Sequence, residues 1–183
     1  MDKLLFKKRS REINERSWHM SSILIVGHGP SVLSEELGAK IDQMPVIARF
    51  HNFQTKGFEK HVGTKTDIWC TSGFALLAQD IIERNGIKET IYTSMRATDA
   101  VYQTFKGFVP DATRLPRQHW KDTVKRMAFK RPSTGAACVY WFSKLYDQVY
   151  IHGFDHWSGE KAHYFGHIKF GKHSASKEKN FFY

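Results

Sequence analysis

Apolar positions along this chain fall in short continuous runs, most of them followed by a stretch with helical spacing. The runs at residues 22–27 (SILIVG), 45–50 (PVIARF), 67–70, 89–93 and 148–152 have strand length. Between them, Val32, Leu33, Leu37 and Ile41 predict a helix over 32–41. Phe74, Leu76, Leu77, Ile81 and Ile82 predict another over 72–85, stopped by Asn85-Gly86. A helix over 96–106 is expected to turn Val101, Tyr102 and Phe105 inward. Residues 109–116 read as loop or edge strand and 118–129 as a basic helix. The alternation predicts an α/β fold: one Rossmann-like domain, a mostly parallel sheet flanked by helices.

The stretch that organises the rest is RPSTGAACVYWFSKLYDQVYIHGFD, residues 131–155. Pro132 fixes φ and has no N–H to lose, which suits the beginning of a helix. Ser133 and Thr134 are cap-type residues, and Gly135 has no side chain to keep a ligand off the backbone. Ala136, Ala137, Val139, Tyr140, Phe142 and Leu145 then make a helix apolar around much of its circumference, as a covered α/β helix should be. Its first turn offers free N–H groups, two hydroxyls and the positive dipole end, with Arg131 beside them: an anion site. The strand at 148–152 delivers Gly153, Phe154 and Asp155 to the same sheet edge, where open α/β folds bind ligands. Nearer the start, a strand, the turn Gly27-His28-Gly29-Pro30-Ser31 and a helix have the order of a nucleotide-type phosphate turn. The full GxGxxG spacing is missing.

Composition narrows the partners. At 183 residues the chain is long enough to bury about two thirds of its unfolded surface in one domain. The boundaries expected are a basic N-terminal arm over 1–20 and a catalytic domain over 21–183. A formal charge of +10 calls for an anionic partner. Leu4, Leu5, Phe6 and Trp18 among the arm's lysines and arginines suit peripheral contact with an anionic membrane. No apolar window has the length of a membrane span or a signal peptide. Two cysteines, Cys70 and Cys138, without metal-type spacing, point to a reducing compartment.

The tail after Asp155 holds four of the ten histidines. His163 and His167 stand four apart, as zinc ligands on a helix might, but no third ligand completes a site. His173 and Glu178 are five apart.

Taken together, these segments resemble the sialyltransferase family with its L, S, III and VS motifs. IVGHGPS, RFHN and GFEKHVGTKT, within 23–66, match the L motif; RPSTG through YIHGFD matches the S motif. His163-Tyr164-Phe165 matches motif III, and His173-Ser174-Ala175-Ser176-Lys177-Glu178 matches VS, all in the family's order. The resemblance implies a GT-A-like variant of the single-Rossmann-domain glycosyltransferase fold. It implies inverting, metal-independent transfer of sialic acid or a related acid sugar from a CMP-activated donor to a glycan hydroxyl, with no cofactor. His173 then takes the place of the general base and His163 hydrogen-bonds the departing phosphate. Glu178 and Arg49 are supporting residues. The donor would be bound by Gly27, His28, Gly29, Ser31, His51, Asn52, Ser133, Thr134, Gly135, Gly153, Phe154, Asp155 and Tyr164. His28 and His51 stand where the family commonly has asparagine; an imidazole there can donate to phosphate or sugar oxygens. The positions of the family's usual disulfide carry Ile23 and Tyr146, which fits a cytoplasmic enzyme at the inner membrane face. Alternatives are transfer from CMP-Kdo, and a catalytically silent nucleotide or nucleic-acid binding module; nucleic acid is not the expected partner.

Overall fold

The computed structural model describes residues 2–4, 22–73, 81–83, 85–94, 98–156, 163–166 and 174–182. Its strands are β1 (Asp2–Leu4), β2 (Ser22–Val26), β3 (Val46–Phe50), β4 (Ile68–Thr71), β5 (Glu89–Tyr92), β6 (Thr113–Arg114) and β7 (Gln148–His152). The helices are α1 (Gly38–Asp42), α2 (Glu59–Val62), α3 (Asp99–Phe108), α4 (Arg117–Met127), α5 (Thr134–Leu145) and α6 (Ala175–Phe182), with a 3₁₀ turn at Pro30–Ser34. Residues 81–83 and 85 are also helical, and the Asn85 side chain donates to the Ile81 carbonyl where that helix stops.

All strands join one sheet in the order β1-β7-β2-β3-β4-β5-β6. Six of them run parallel; β1 alone is antiparallel, pairing Asp2 with Ile151 and Leu4 with Val149. The start of the basic arm is thus a sheet edge. From β2 the chain adds β3 to β6 on one side, then returns to place β7 on the other. That reversal leaves a crevice at the carboxyl ends of β2 and β7, the switch point where such sheets take ligands.

Period-two alternation decides which side chains meet α5. Ile23, Ile25, Ala48, Phe50, Ile68 and Cys70 point to its face, while Leu24, Val26 and Ile47 point to the face covered by α1. On α5 every residue from Ala136 to Phe142 is buried, because the sheet covers one side and α4 the other, with α6 in turn packed on α4.

The structure departs from the sequence reading in four places. The helix expected over 32–41 is split into the 3₁₀ turn and α1, with Glu35 extended between them. Its apolar residues serve two clusters: Val32 packs with Val62 and Tyr164, whereas Leu37 and Ile41 pack with Leu24, Val26 and Ile47. One straight helix cannot reach both. On α3, Val101 is 51% exposed, and the inward stripe is Tyr102, Phe105 and Val109, spaced i, i+3, i+7. On α5, Leu145 projects past the core and is exposed. The last departure is α4, which ends two residues short of 129 because Ala128 adopts a left-handed conformation, φ 47°.

Candidate active site

The turns after β2 and β7 are stitched together by backbone amides. Gly27 N–H donates to the His152 carbonyl at 2.7 Å and Gly29 N–H to the Gly153 carbonyl at 2.8 Å. Ser31 gives both its N–H, at 2.8 Å, and its hydroxyl to the Asp155 carboxylate. No side chain fits between the two turns. A Cβ on Gly27 would lie 2.4 Å from the Gly153 oxygen, and one on Gly29 would enter the Asp155 carboxyl group. A phosphate turn needs amides aimed at its ligand. Here the amides of Gly27, Gly29 and Ser31 are satisfied by protein, and a carboxylate stands over Gly29. The expected phosphate turn is corrected by this geometry: these residues shape the crevice floor and do not cradle an anion.

The free donors lie at the start of α5. The Ser133 hydroxyl caps the helix by accepting Ala136 N–H at 3.1 Å, and Ser133's own N–H donates to the buried Glu178 carboxylate at 2.9 Å. The N–H groups of Thr134 and Gly135 have no acceptor among the described residues, and the Thr134 hydroxyl likewise has no partner there. They sit at the positive end of a twelve-residue helix. A Cβ on Gly135 would approach Phe154 to 2.9 Å, so the glycine lets this ring pack close against the helix start. Glu178 therefore ties α6 to α5, a role the sequence reading did not give it.

Aromatic rings connect this helix start to His163. Phe154 packs on Phe50 at 6.1 Å and on Phe182 at 5.5 Å; Phe50 meets His28, and His28 meets His163 at 4.7 Å. Tyr164 fixes the segment by donating its N–H to the His28 carbonyl at 2.8 Å and its hydroxyl to the Gln54 carbonyl. Phe165 lies 5.1 Å from His28 and 5.3 Å from His163. Its place beside the paired histidines, like that of Phe50, was not foreseen. Within this setting His163 Nδ1 is buried without a hydrogen-bond partner, and burial lowers its pKa. A neutral imidazole aimed at an unfilled partner suits an anionic ligand, which would raise that pKa again.

His28 behaves differently from expectation. Its Nε2 lies 3.0 Å from the Phe50 carbonyl, an acceptor only, so Nε2 carries the proton and Nδ1 is left as an acceptor. Burial, with His163, His51 and Arg49 nearby, lowers its pKa to about 3, so it stays neutral at physiological pH. It cannot donate to a phosphate. Because the unfolded value is 6.5, the unfolded chain takes up a proton between about pH 6.5 and 3 that the folded chain refuses. Stability must therefore fall with pH across that window, by roughly 1.4 kcal/mol per unit from this residue. Urea unfolding at pH 7 and 4.5 should show wild type losing about 2 kcal/mol more than His28→Asn.

Arg49 is 1% exposed and holds the loop before β4 in place. Its Nε donates to Thr66 Oγ1 at 3.0 Å and its Nη2 to the Val62 carbonyl at 2.6 Å. His51 ends β3 in a left-handed conformation, φ 46°, with its carbonyl accepting Trp69 Nε1–H at 2.7 Å. Asn52 follows it in the same turn, half-buried. His167 and His173 lie outside the described residues.

The sequence model of glycosyltransferase family 29 (sialyltransferase) matches residues 2–93, half of the chain. A rat CMP-N-acetylneuraminate-β-1,4-galactoside α-2,3-sialyltransferase is 38% identical over 55 residues, 30% of this chain and 15% of the relative. A β-1,6-galactosyltransferase of Arabidopsis thaliana is 31% identical over 71 residues, 39% of this chain and 16% of the relative. Among solved structures, a mammalian sialyltransferase superposes with a TM-score of 0.68 at 19% identity, over 88% of this chain and 64% of the other. The monofunctional α-2,3-sialyltransferase Cst-I of Campylobacter jejuni gives 0.63 at 19% identity, over 88% and 65%. The chain thus spans less than two thirds of the length of these proteins, and the structural likenesses establish the shared fold. With the family model covering half of its length, this chain belongs to glycosyltransferase family 29, the sialyltransferases.

Proposed function

We propose that the chain is the catalytic core of an inverting, metal-independent transferase. It moves sialic acid, or a related acid sugar, from a CMP-activated donor to a glycan hydroxyl. The observation that supports this reading is that unpaired helix-start amides, those of Thr134 and Gly135, lie at the switch point, joined to His163 by the ring contacts of Phe154, Phe50 and His28. The donor phosphate sits against the Thr134 and Gly135 amides, with the Thr134 hydroxyl and His163 as further hydrogen-bond donors. The glycosidic C–O bond breaks with its electron pair going to the phosphate, and these groups stabilise the charge that appears there. The acceptor oxygen attacks the opposite face of the anomeric carbon and gives its proton to His173. Ser174, the sequence neighbour of His173, lies one helical turn from Glu178, about 6 Å along the axis, and Glu178 is bonded to Ser133. That tether keeps the end of the chain within reach of the phosphate.

His28, an acceptor only, suits a hydroxyl or amino group of the nucleoside. Contact with an anionic membrane face is supported by the charge of +10; among the described residues no helix is long and apolar enough to cross one. A cytoplasmic location rests on Ile23 and Tyr146 standing where the resemblance would place a disulfide.

The test is a thermal-shift and donor-hydrolysis panel of CMP-sialic acid, CMP-Kdo, CMP and a nucleotide-activated galactose. CMP-sialic acid should stabilise the protein by mass action and be slowly hydrolysed. Thr134→Val should weaken CMP binding about tenfold by removing one hydrogen bond to a charged group. The match to a galactosyltransferase favours a second reading, a neutral-sugar donor; stabilisation by nucleotide-galactose alone would select it. No response to any of them would leave a silent module.

A further inference from the structure

The outer side of the α4–α5 hairpin gathers cations around one aromatic ring. Tyr140, on α5, is 4% exposed, and its ring holds the Arg126 guanidinium at 4.9 Å and the Lys144 ammonium at 5.0 Å. His119 of α4 lies 6.4 Å from the same ring, and its Nδ1 is buried without a hydrogen-bond partner among the described residues. Phe181 of α6 packs on Tyr140 at 6.1 Å, and the Tyr140 hydroxyl has no partner among the described residues. Arg126 and Lys144 are both exposed, and neither makes an ion pair there. Two cations held against one ring repel each other, and an anion that reaches both relieves the repulsion. Lys121 and Lys125 extend the positive surface over the outward side of α4, and Lys130 carries it toward the start of α5. From Arg117 to Leu145 the sequence has a single acid, Asp122, and Gln118 Nε2–H donates to it at 2.8 Å.

We propose that this face of the hairpin docks on a bilayer rich in anionic phospholipid, with Arg126 and Lys144 as its central phosphate contacts. The inference gives a place to the membrane contact proposed above and rests on that reading. A bilayer suits the face better than a soluble polyanion. The cations lie on exposed helix surface, and Leu145, next to Lys144, is 48% exposed, an apolar side chain able to enter the headgroup layer. Single-stranded nucleic acid would need open aromatic faces, whereas Tyr140 and Trp141 are both buried. Each cation brought to an anionic surface adds about fivefold in affinity. Tyr140 stands about 9 Å along α5 from Thr134. Docking therefore holds the proposed phosphate site close to the lipid surface, where a lipid-linked glycan would present its hydroxyl.

The experiment sediments the full chain with vesicles of phosphatidylcholine, alone or mixed with phosphatidylglycerol, at low and high salt. Binding is expected only to the anionic vesicles and should fall steeply as salt rises. Arg126→Ala/Lys144→Ala should weaken it by roughly 25-fold. Lys40→Ala/Lys60→Ala removes the same charge from α1 and α2, on the opposite face of the sheet, and should weaken it by less than about threefold. Both double variants should keep the wild-type urea midpoint, because all four side chains are exposed. The assay needs no donor, so a failure to bind vesicles and a failure to bind CMP are separate results: the first sinks the docking face, the second the transferase reading. Equal weakening by the two double variants would show diffuse charge and overturn the proposal. So would equal binding to neutral vesicles, or capture of RNA or an acidic polysaccharide without binding to the anionic vesicles.

Discussion

His173→Ala is expected to lower turnover by about 10²–10⁴-fold while leaving the dissociation constant of CMP unchanged. The two halves of this result separate the proposed roles. A base acts on the acceptor hydroxyl as the new bond forms, so its loss is felt in the transition state and not in donor binding. The groups proposed to hold the phosphate are Thr134, Gly135 and His163, so donor binding does not call on the base. Single-turnover kinetics with saturating donor and CMP titration by calorimetry measure the two quantities independently. Loss of CMP affinity in step with turnover would show that His173 is a binding residue and that the base lies elsewhere.

Gly153→Ala should destabilise the fold by about 3 kcal/mol. Gly153 has φ +72°, a conformation that costs an L-residue roughly 1–2 kcal/mol. The added Cβ would also lie 2.4 Å from Val32 Cγ1, and Val32 is completely buried. Relieving such an overlap in a packed interior costs about 1–3 kcal/mol. Denaturant unfolding of the variant should show the loss as a shift in midpoint at constant slope. A loss below about 1 kcal/mol would mean that the turns after β2 and β7 can part easily. The same substitution should reduce CMP binding, since those turns form the crevice floor.

Much of the fold was legible because the strands announce themselves. SILIV, VIARF and IWCT are covered on both faces, so each reads as a continuous apolar run. The α5–β7 unit was legible for a related reason: Pro132, Ser133 and Thr134 mark a helix start, and the observed cap is Ser133. The split of 32–41 was not legible, since apolar spacing does not say which of two clusters each residue will join. Neither was the antiparallel pairing of Asp2–Leu4 with β7, which depends on an edge that exists only once the sheet has formed.

The candidate site divides in the same way. Residue types and motif order alone pointed to the family and to the parallel α/β architecture. Only the tertiary structure decided which amides there are free. Gly27, Gly29 and Ser31 look like phosphate ligands until His152, Gly153 and Asp155 are seen to accept their N–H groups. Likewise, nothing in the sequence ties Glu178 to Ser133 or sets His28 as an acceptor against Phe50. The physical reason is common to all three. A hydrogen-bonding group's chemistry is local, but whether it remains available is fixed by partners tens of residues away.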